Sequence, residues 1–231
     1  MAAPAPTTII SFDVGVINLA YAVLDVAGIL PIDKLKAPSK RKRNPVTPPA
    51  LNAVVGEGAV LRVWGVIAVC ESKETIVATT TALVRALKAQ AFPQPDVVLL
   101  ESQSPRSPKN MVVAGAIHAY FAALYPDAHV LYMPPKRSLA RLRALLPRYL
   151  AARDLHPALV VPLLGETGPT EKLSYSKKKR WATAFTTLLV AHEPYAPGLA
   201  AAFSASKKKD DFADALLQAY VYVEDCLYGV Q

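Results

Sequence analysis

The chain has 231 residues, of which 52% are hydrophobic, and a net charge of +8 at pH 7. That length suits one α/β domain or a domain with a sizeable insertion, with enough apolar material for a real core. The two cysteines, Cys70 and Cys226, form no C-x-x-C metal spacing and no disulfide framework, and no apolar run reaches the length of a membrane span.

The start, MAAPAPTT, lacks a basic region followed by an apolar run, so no secretory signal is expected. No Arg precedes Arg41, which argues against a mitochondrial transit peptide. An intracellular, reducing compartment is the simplest reading: cytoplasmic or nuclear, with mitochondria left open. The positive charge is clustered at Lys40 to Arg43, Lys136 to Arg153, Lys177 to Arg180 and Lys207 to Lys209. Clustered bases imply an acidic partner, nucleic acid ahead of membrane.

Thr7 to Asp13 (TTIISFD) predicts a buried strand that ends on an acid. A tight turn at Val14 to Ile17, with Gly15, leads into a second strand from Leu19 to Val26. An Asp before such a turn either holds a metal or caps the turn. Pro31 to Gly58 breaks the pattern with five prolines and the run SKRKRNP. It predicts a mobile loop or insertion whose bases serve as solvated surface, an import patch or a DNA-contacting arm. Ala59 to Val69 is a third strand, with Arg62 and Trp64 in alternation. Thr75 to Gln90 has an apolar stripe at helical spacing (Ile76, Leu83, Val84, Leu87). Asp96 to Glu101 (DVVLLE) is a short apolar strand of the kind covered on both faces, and it too ends on an acid.

Asn110 to Tyr125 predicts a helix, and Val130 to Met133 a fifth strand stopped by Pro134 and Pro135. The remainder reads as helical. Lys136 to Arg153 is basic and interrupted at Pro147, Pro157 to Thr170 is irregular, and Ser176 to His192 has a basic first turn. Pro194 to Ser206 reads as a linker before the final helix. That helix, starting near Asp210, sets Asp211 and Asp214 on one face, while Phe212, Ala215, Leu216 and Ala219 form a stripe. Three lysines just ahead of its N-terminus oppose the helix dipole, which suggests cations and a polyanion close by. His118 and His192 read as surface or packing residues, and Trp64 and Trp181 as core. Tyr220, Tyr222 and Tyr228 suit either a dimer contact or packing within the domain.

A hairpin, a third strand and then strand–helix–strand units predict an α/β fold of the RNase H type. The expected sheet is mixed and five-stranded, flanked by helices, with residues 1–231 forming a single domain. If the strands ending at Asp13 and Glu101 are adjacent and parallel, both acids leave the same sheet edge. A last helix carrying Asp211 and Asp214 can cross that edge. Four convergent carboxylates repel one another unless cations join them. Hard divalent ions with oxygen ligands, Mg²⁺ or Mn²⁺, resolve this. Two such ions about 3.5–4 Å apart form the clamp used for in-line phosphodiester attack.

The pieces SFDVGVINLAYAVLD, VVLLESQSPR and KKDDFADALLQA resemble the three acidic motifs of RuvC-type Holliday junction resolvases, above all the poxvirus-type and fungal mitochondrial branch. Asp13, Gly15 and Asn18 match the first motif, and Glu101, Gln103 and Arg106 the second. Lys208, Asp210, Asp211, Ala213 and Asp214 match the third. The motifs span nearly the whole chain in order. Ser102 departs from the basic or amide residue common in relatives, and the Pro31 to Gly58 insertion has no counterpart carried over. The resemblance implies a homodimer that binds four-way DNA junctions and nicks two strands symmetrically. It implies Asp13, Glu101, Asp211 and Asp214 as catalytic ligands of two Mg²⁺ or Mn²⁺ ions. Arg106, Lys109, Lys177, Lys178, Lys179, Arg180, Lys207, Lys208 and Lys209 are the candidate DNA contacts, and the membrane and small-molecule cofactors have no part. Other nucleases of the same fold, acting on RNA–DNA hybrids or single strands, and a non-catalytic architectural DNA binder remain alternatives. An actin-like ATPase is disfavoured, because the chain is short and has no second D-x-G phosphate loop.

Overall fold

The computed structural model describes residues 6–27, 59–70, 74–134, 145–155 apart from 148 and 152, 174–193 and 197–228. The described residues hold one sheet of strands β1 (Thr7–Asp13), β2 (Asn18–Val26), β3 (Ala59–Ala68), β4 (Val97–Glu101) and β5 (His129–Met133). Its helices are α1 (Ile76–Gln90), α2 (Pro108–Leu124), α3 (Tyr175–His192), α4 (Pro197–Ala205) and α5 (Lys209–Tyr228). The expected insertion at Pro31 to Gly58, residues 136–144 of the expected basic helix and the irregular segment at 157–170 lie outside the described residues.

Strand order is β3-β2-β1-β4-β5. β1 is central, antiparallel to β2 and parallel to β4. β2 and β3 pair antiparallel, β4 and β5 parallel. A central strand covered on both faces is largely apolar, and Ile9, Ile10, Phe12 and Val97 to Leu100 are fully buried, with the one fully buried hydroxyl between them, Ser11, hydrogen-bonded to Gln218. Alternate residues divide the core. Ile10, Phe12, Val98 and Leu100 pack with Leu83 and Leu87 of α1 and Val113, Ile117 and Phe121 of α2. Ile9, Val97 and Leu99 face Ala215, Leu216 and Ala219 of α5, with Trp181 and Phe185 of α3 in the same cluster.

Two local features set the geometry of the hairpin half of the sheet. A side chain at Gly15 would place its Cβ 2.2 Å from the Asn18 carbonyl oxygen, so the turn closes only on glycine. Val23 pairs with Val63 but Leu24 with Leu61, leaving Arg62 as the extra residue of a bulge. The bulge shifts the alternation, so Leu61 and Trp64 both enter the α5-side core while Arg62 stays exposed.

The expected linker between Pro194 and Ser206 is instead helical over Pro197–Ala205. Pro at a first helical position removes only an amide that has no helical partner there, and the Ala-rich run behind it favours a helix. Phe203 secures the helix by stacking on Trp64, with centroids 5.0 Å apart and planes 9° apart. Phe212 meets the same indole edge-on at 5.1 Å. Trp64 and Trp181 are core residues as expected, and Tyr220 and Tyr222 are buried within the fold.

Candidate active site

Side-chain parity decides where the strand-end acids point. Ile9 and Ser11 face α5, so Asp13 does too. Val97 and Leu99 face α5, so Glu101 follows them. The β1–β4 register pairs Ile9 with Val97 and Ser11 with Leu99, and one further step sets Asp13 alongside Glu101.

Three hydrogen bonds fix α5 over this edge. Trp64 Nε1 donates to the Phe212 carbonyl at 2.9 Å. Gln218 Nε2 donates to Ser11 Oγ at 3.1 Å and to the Phe12 carbonyl at 3.3 Å. Asp214 and Asp211 lie about one and two turns before Gln218, on the same helix face. The contact that holds Gln218 against Ser11 therefore holds Asp214 near Asp13, two residues further along β1.

The electrostatics reflect the crowding of acids around Asp13. Burial raises the Asp13 carboxyl well above the ordinary carboxylate value. The charges of Asp214, Glu101 and Asp211 raise it further, as does a hydrogen bond to Glu101. Asp214 is pushed up to about 7, first by desolvation and then by Glu101, Asp210 and Asp211, against the opposing charge of Lys179. Its side chain is nevertheless exposed. The carboxyl is thus crowded by neighbouring protein atoms while the side chain still meets solvent. Asp211 is raised by burial and by Asp210, with Lys179 and Lys208 opposing. Such repulsion is the signature of a site short of positive charge. The donor set fits hard divalent ions: it is all carboxylate oxygen, from three elements, at an accessible edge. Among the described residues no group of three or more acids, histidines or cysteines is drawn together closely enough to hold a metal ion as the side chains stand. The carboxylates share one edge of the sheet without touching a common centre.

Asp210 stands apart from the other acids. Burial raises it, but the hydrogen bond and charge of Lys179 outweigh this, and its carboxyl lies below the ordinary value. It forms an ion pair with Lys179 of α3, whose ammonium also sits 5.3 Å from the centre of the Tyr175 ring. Lys179 is thus held at the edge of the acidic cleft. Lys177, Lys178 and Arg180 are exposed in the first two turns of the same helix α3, which Ser174 caps. Lys207 and Lys208 are exposed just before α5, and Lys209 leans toward Phe203. Arg106 is exposed in the turn after β4. Lys109 is committed elsewhere: its ammonium donates to the Glu74 carbonyl at 3.1 Å, between α1 and α2.

Sequence reasoning missed three participants. Gln218 is the polar break in the buried run from Ala215 to Val223, and that break was its only signal. Asn110 and the Lys179–Asp210 pair depend on contacts between elements distant in the chain.

A mixed sheet of this order, with a closing helix across the end of its central parallel pair, is the RNase H-like fold. It is the fold of the fowlpox virus resolvase solved with its substrate Holliday junction DNA. That structure matches with a TM-score of 0.53 at 15% identity, covering 96% of this chain and 99% of that one. Thermus thermophilus RuvC matches with a TM-score of 0.48 at 13% identity, over 94% and 96% of the two chains. No protein-family model and no curated protein sequence matches the chain.

Proposed function

We propose that this chain is a metal-dependent endonuclease that resolves four-way DNA junctions, working as a homodimer that makes symmetric paired nicks. The observation that carries the proposal is the convergence of β1, β4 and α5, which places Glu101, Asp211 and Asp214 around Asp13, with the Asp13 and Asp214 carboxyls raised by burial and by their acidic neighbours. These four would hold two Mg²⁺ or Mn²⁺ ions. When bound, such ions supply Lewis-acid polarisation of the phosphate and charge relief for the attacking and leaving oxygens.

The protein's own groups bind and orient the substrate. Lys179, fixed between Asp210 and Tyr175, presents positive charge beside the acids where a phosphate would lie. Lys177, Lys178 and Arg180 continue that charge along the first two turns of α3, whose N-terminus also favours anions. Arg106 and Lys207 to Lys209 flank the cleft on the β4 and α5 sides. The junction is preferred over other phosphodiesters because a fold likeness extends over nearly the full length of a resolvase captured on Holliday junction DNA.

The test is a labelled four-way junction incubated with the protein and Mg²⁺ or Mn²⁺, beside RNA–DNA hybrid and single strands, with the nicks mapped. Paired nicks on the junction are expected, abolished by Asp13→Asn and by Asp214→Asn while binding persists. Wild-type cutting by either variant refutes the site. Binding without cation-dependent cutting points to an architectural protein, and preference for the hybrid points to a ribonuclease.

A further inference from the structure

We infer that Asn110 is a positioning residue that sets the spacing of Asp13 and Glu101, acting through Gln103. The inference rests on the nuclease reading above.

Asn110 lies in the first turn of α2, where an Asn could cap the helix by folding back on the chain. It reaches across instead. Its Nδ2 donates to Gln103 Oε1 at 3.1 Å and to the Val14 carbonyl at 3.4 Å. Gln103 Nε2 in turn donates to the Glu101 carbonyl at 3.0 Å and to Glu101 Oε2 at 3.2 Å. Val14 directly follows Asp13, and Glu101 ends β4. One side-chain amide therefore ties together the chain just beyond both acid-bearing strand ends.

The donor count explains why two amides are needed. A side-chain amide nitrogen has two hydrogens, and both are used in each residue. Gln103 can orient either way about its last bond. With its oxygen toward Glu101 it would face a carbonyl and a carboxylate, two acceptors. Asn110 presents a donor to Gln103 Oε1 and so selects the orientation that aims Nε2 at Glu101. The carboxylate is then held by one of its oxygens and by its own backbone, and it retains lone pairs for a cation. The β1–β4 pairing ends at Phe12 and Leu100, one residue short of the two acids, and this relay braces the chain just past them.

The experiment measures Mn²⁺ affinity by calorimetry on the DNA-free full chain. The variants are Asn110→Ala, Gln103→Ala, Gln103→Met and the double alanine variant, each with a urea melt in EDTA. Groups that orient a metal-binding carboxylate typically change metal affinity by about 10–100-fold when removed. Each single alanine variant is therefore expected to lose about tenfold. The double variant should be no worse than the poorer single one, because the two side chains act in series. Gln103→Met, which fills the space without donating, should behave as Gln103→Ala. Affinity within about twofold of wild type in both alanine variants overturns the proposal, as does a loss in the double variant that is the product of the two. Should Asn110→Ala fail to fold, the Gln103 pair decides alone: Met restoring affinity means packing, and the relay is refuted. Wild-type protein that binds no Mn²⁺ is a separate result. It removes the metal-site reading itself, and this inference with it.

Discussion

Gln218→Met tests whether the docking of α5 assembles the acidic cleft. Methionine matches the length of glutamine and suits a helix, and the site is only 5% exposed, so packing is nearly conserved. The change removes the donors to Ser11 Oγ and the Phe12 carbonyl. A typical buried hydrogen bond contributes about 0.5–1.5 kcal/mol net, and the Ser11 hydroxyl can turn to seek another partner. The expected loss is therefore about 1–2 kcal/mol, or about 3–6 °C in melting temperature for a domain of this size. The assay is a urea and thermal melt in EDTA, repeated for Ser11→Ala and the double variant, with Mn²⁺ titrated into each. Because Asp214 is about one turn from Gln218, the variant should also bind Mn²⁺ more weakly. A melt superimposable on wild type, or effects of Ser11→Ala and Gln218→Met that simply add, would show that this contact does not hold the helix.

The remaining predictions concern charge and backbone. The Asp214 carboxyl sits at about 7 in the fold against an ordinary 3.8, so between these values the folded state holds a proton that the unfolded chain has released. Stability without metal should thus fall as pH rises from about 4 to about 7. Asp214→Asn should melt above wild type at pH 8 in EDTA and lose that advantage toward pH 4, and a pH-independent difference would contradict the stated charge crowding. Ala91, which ends α1, has φ 47° and ψ 53°, so Ala91→Gly should gain about 0.5–1 kcal/mol by urea melt, and a loss would mean the strain is absent. Lys178→Ala should reduce the slope of log affinity against log salt for junction binding by about one, and an unchanged slope would take α3 off the DNA face.

The acid-bearing strands were legible because burial on both faces favours apolar and β-branched residues, so Thr7 to Asp13 and Asp96 to Glu101 read as buried strands closed by a carboxylate. The spacing of Asp211 and Asp214 on one helix face was equally plain. Other features depended on contacts that no local pattern carries. Helix α4 was hidden by Pro194, Pro197 and Gly198, and it is stabilised by Phe203 reaching Trp64 on a distant strand. The bulge at Arg62 shows only in the pairing of β3 with β2. Asp210 was set apart from Asp211 and Asp214 only by the resemblance to the resolvase motif, and its partner Lys179 comes from another helix.

The acids come from both ends and the middle of the chain, and α5 brings the final pair. Until that helix settles on β1, no more than two of the four carboxylates share one place, and a half-folded chain has nothing with which to cut. On the nuclease reading, the cutting chemistry therefore depends on α5 being docked, and a chain whose last helix is detached is harmless to nearby nucleic acid.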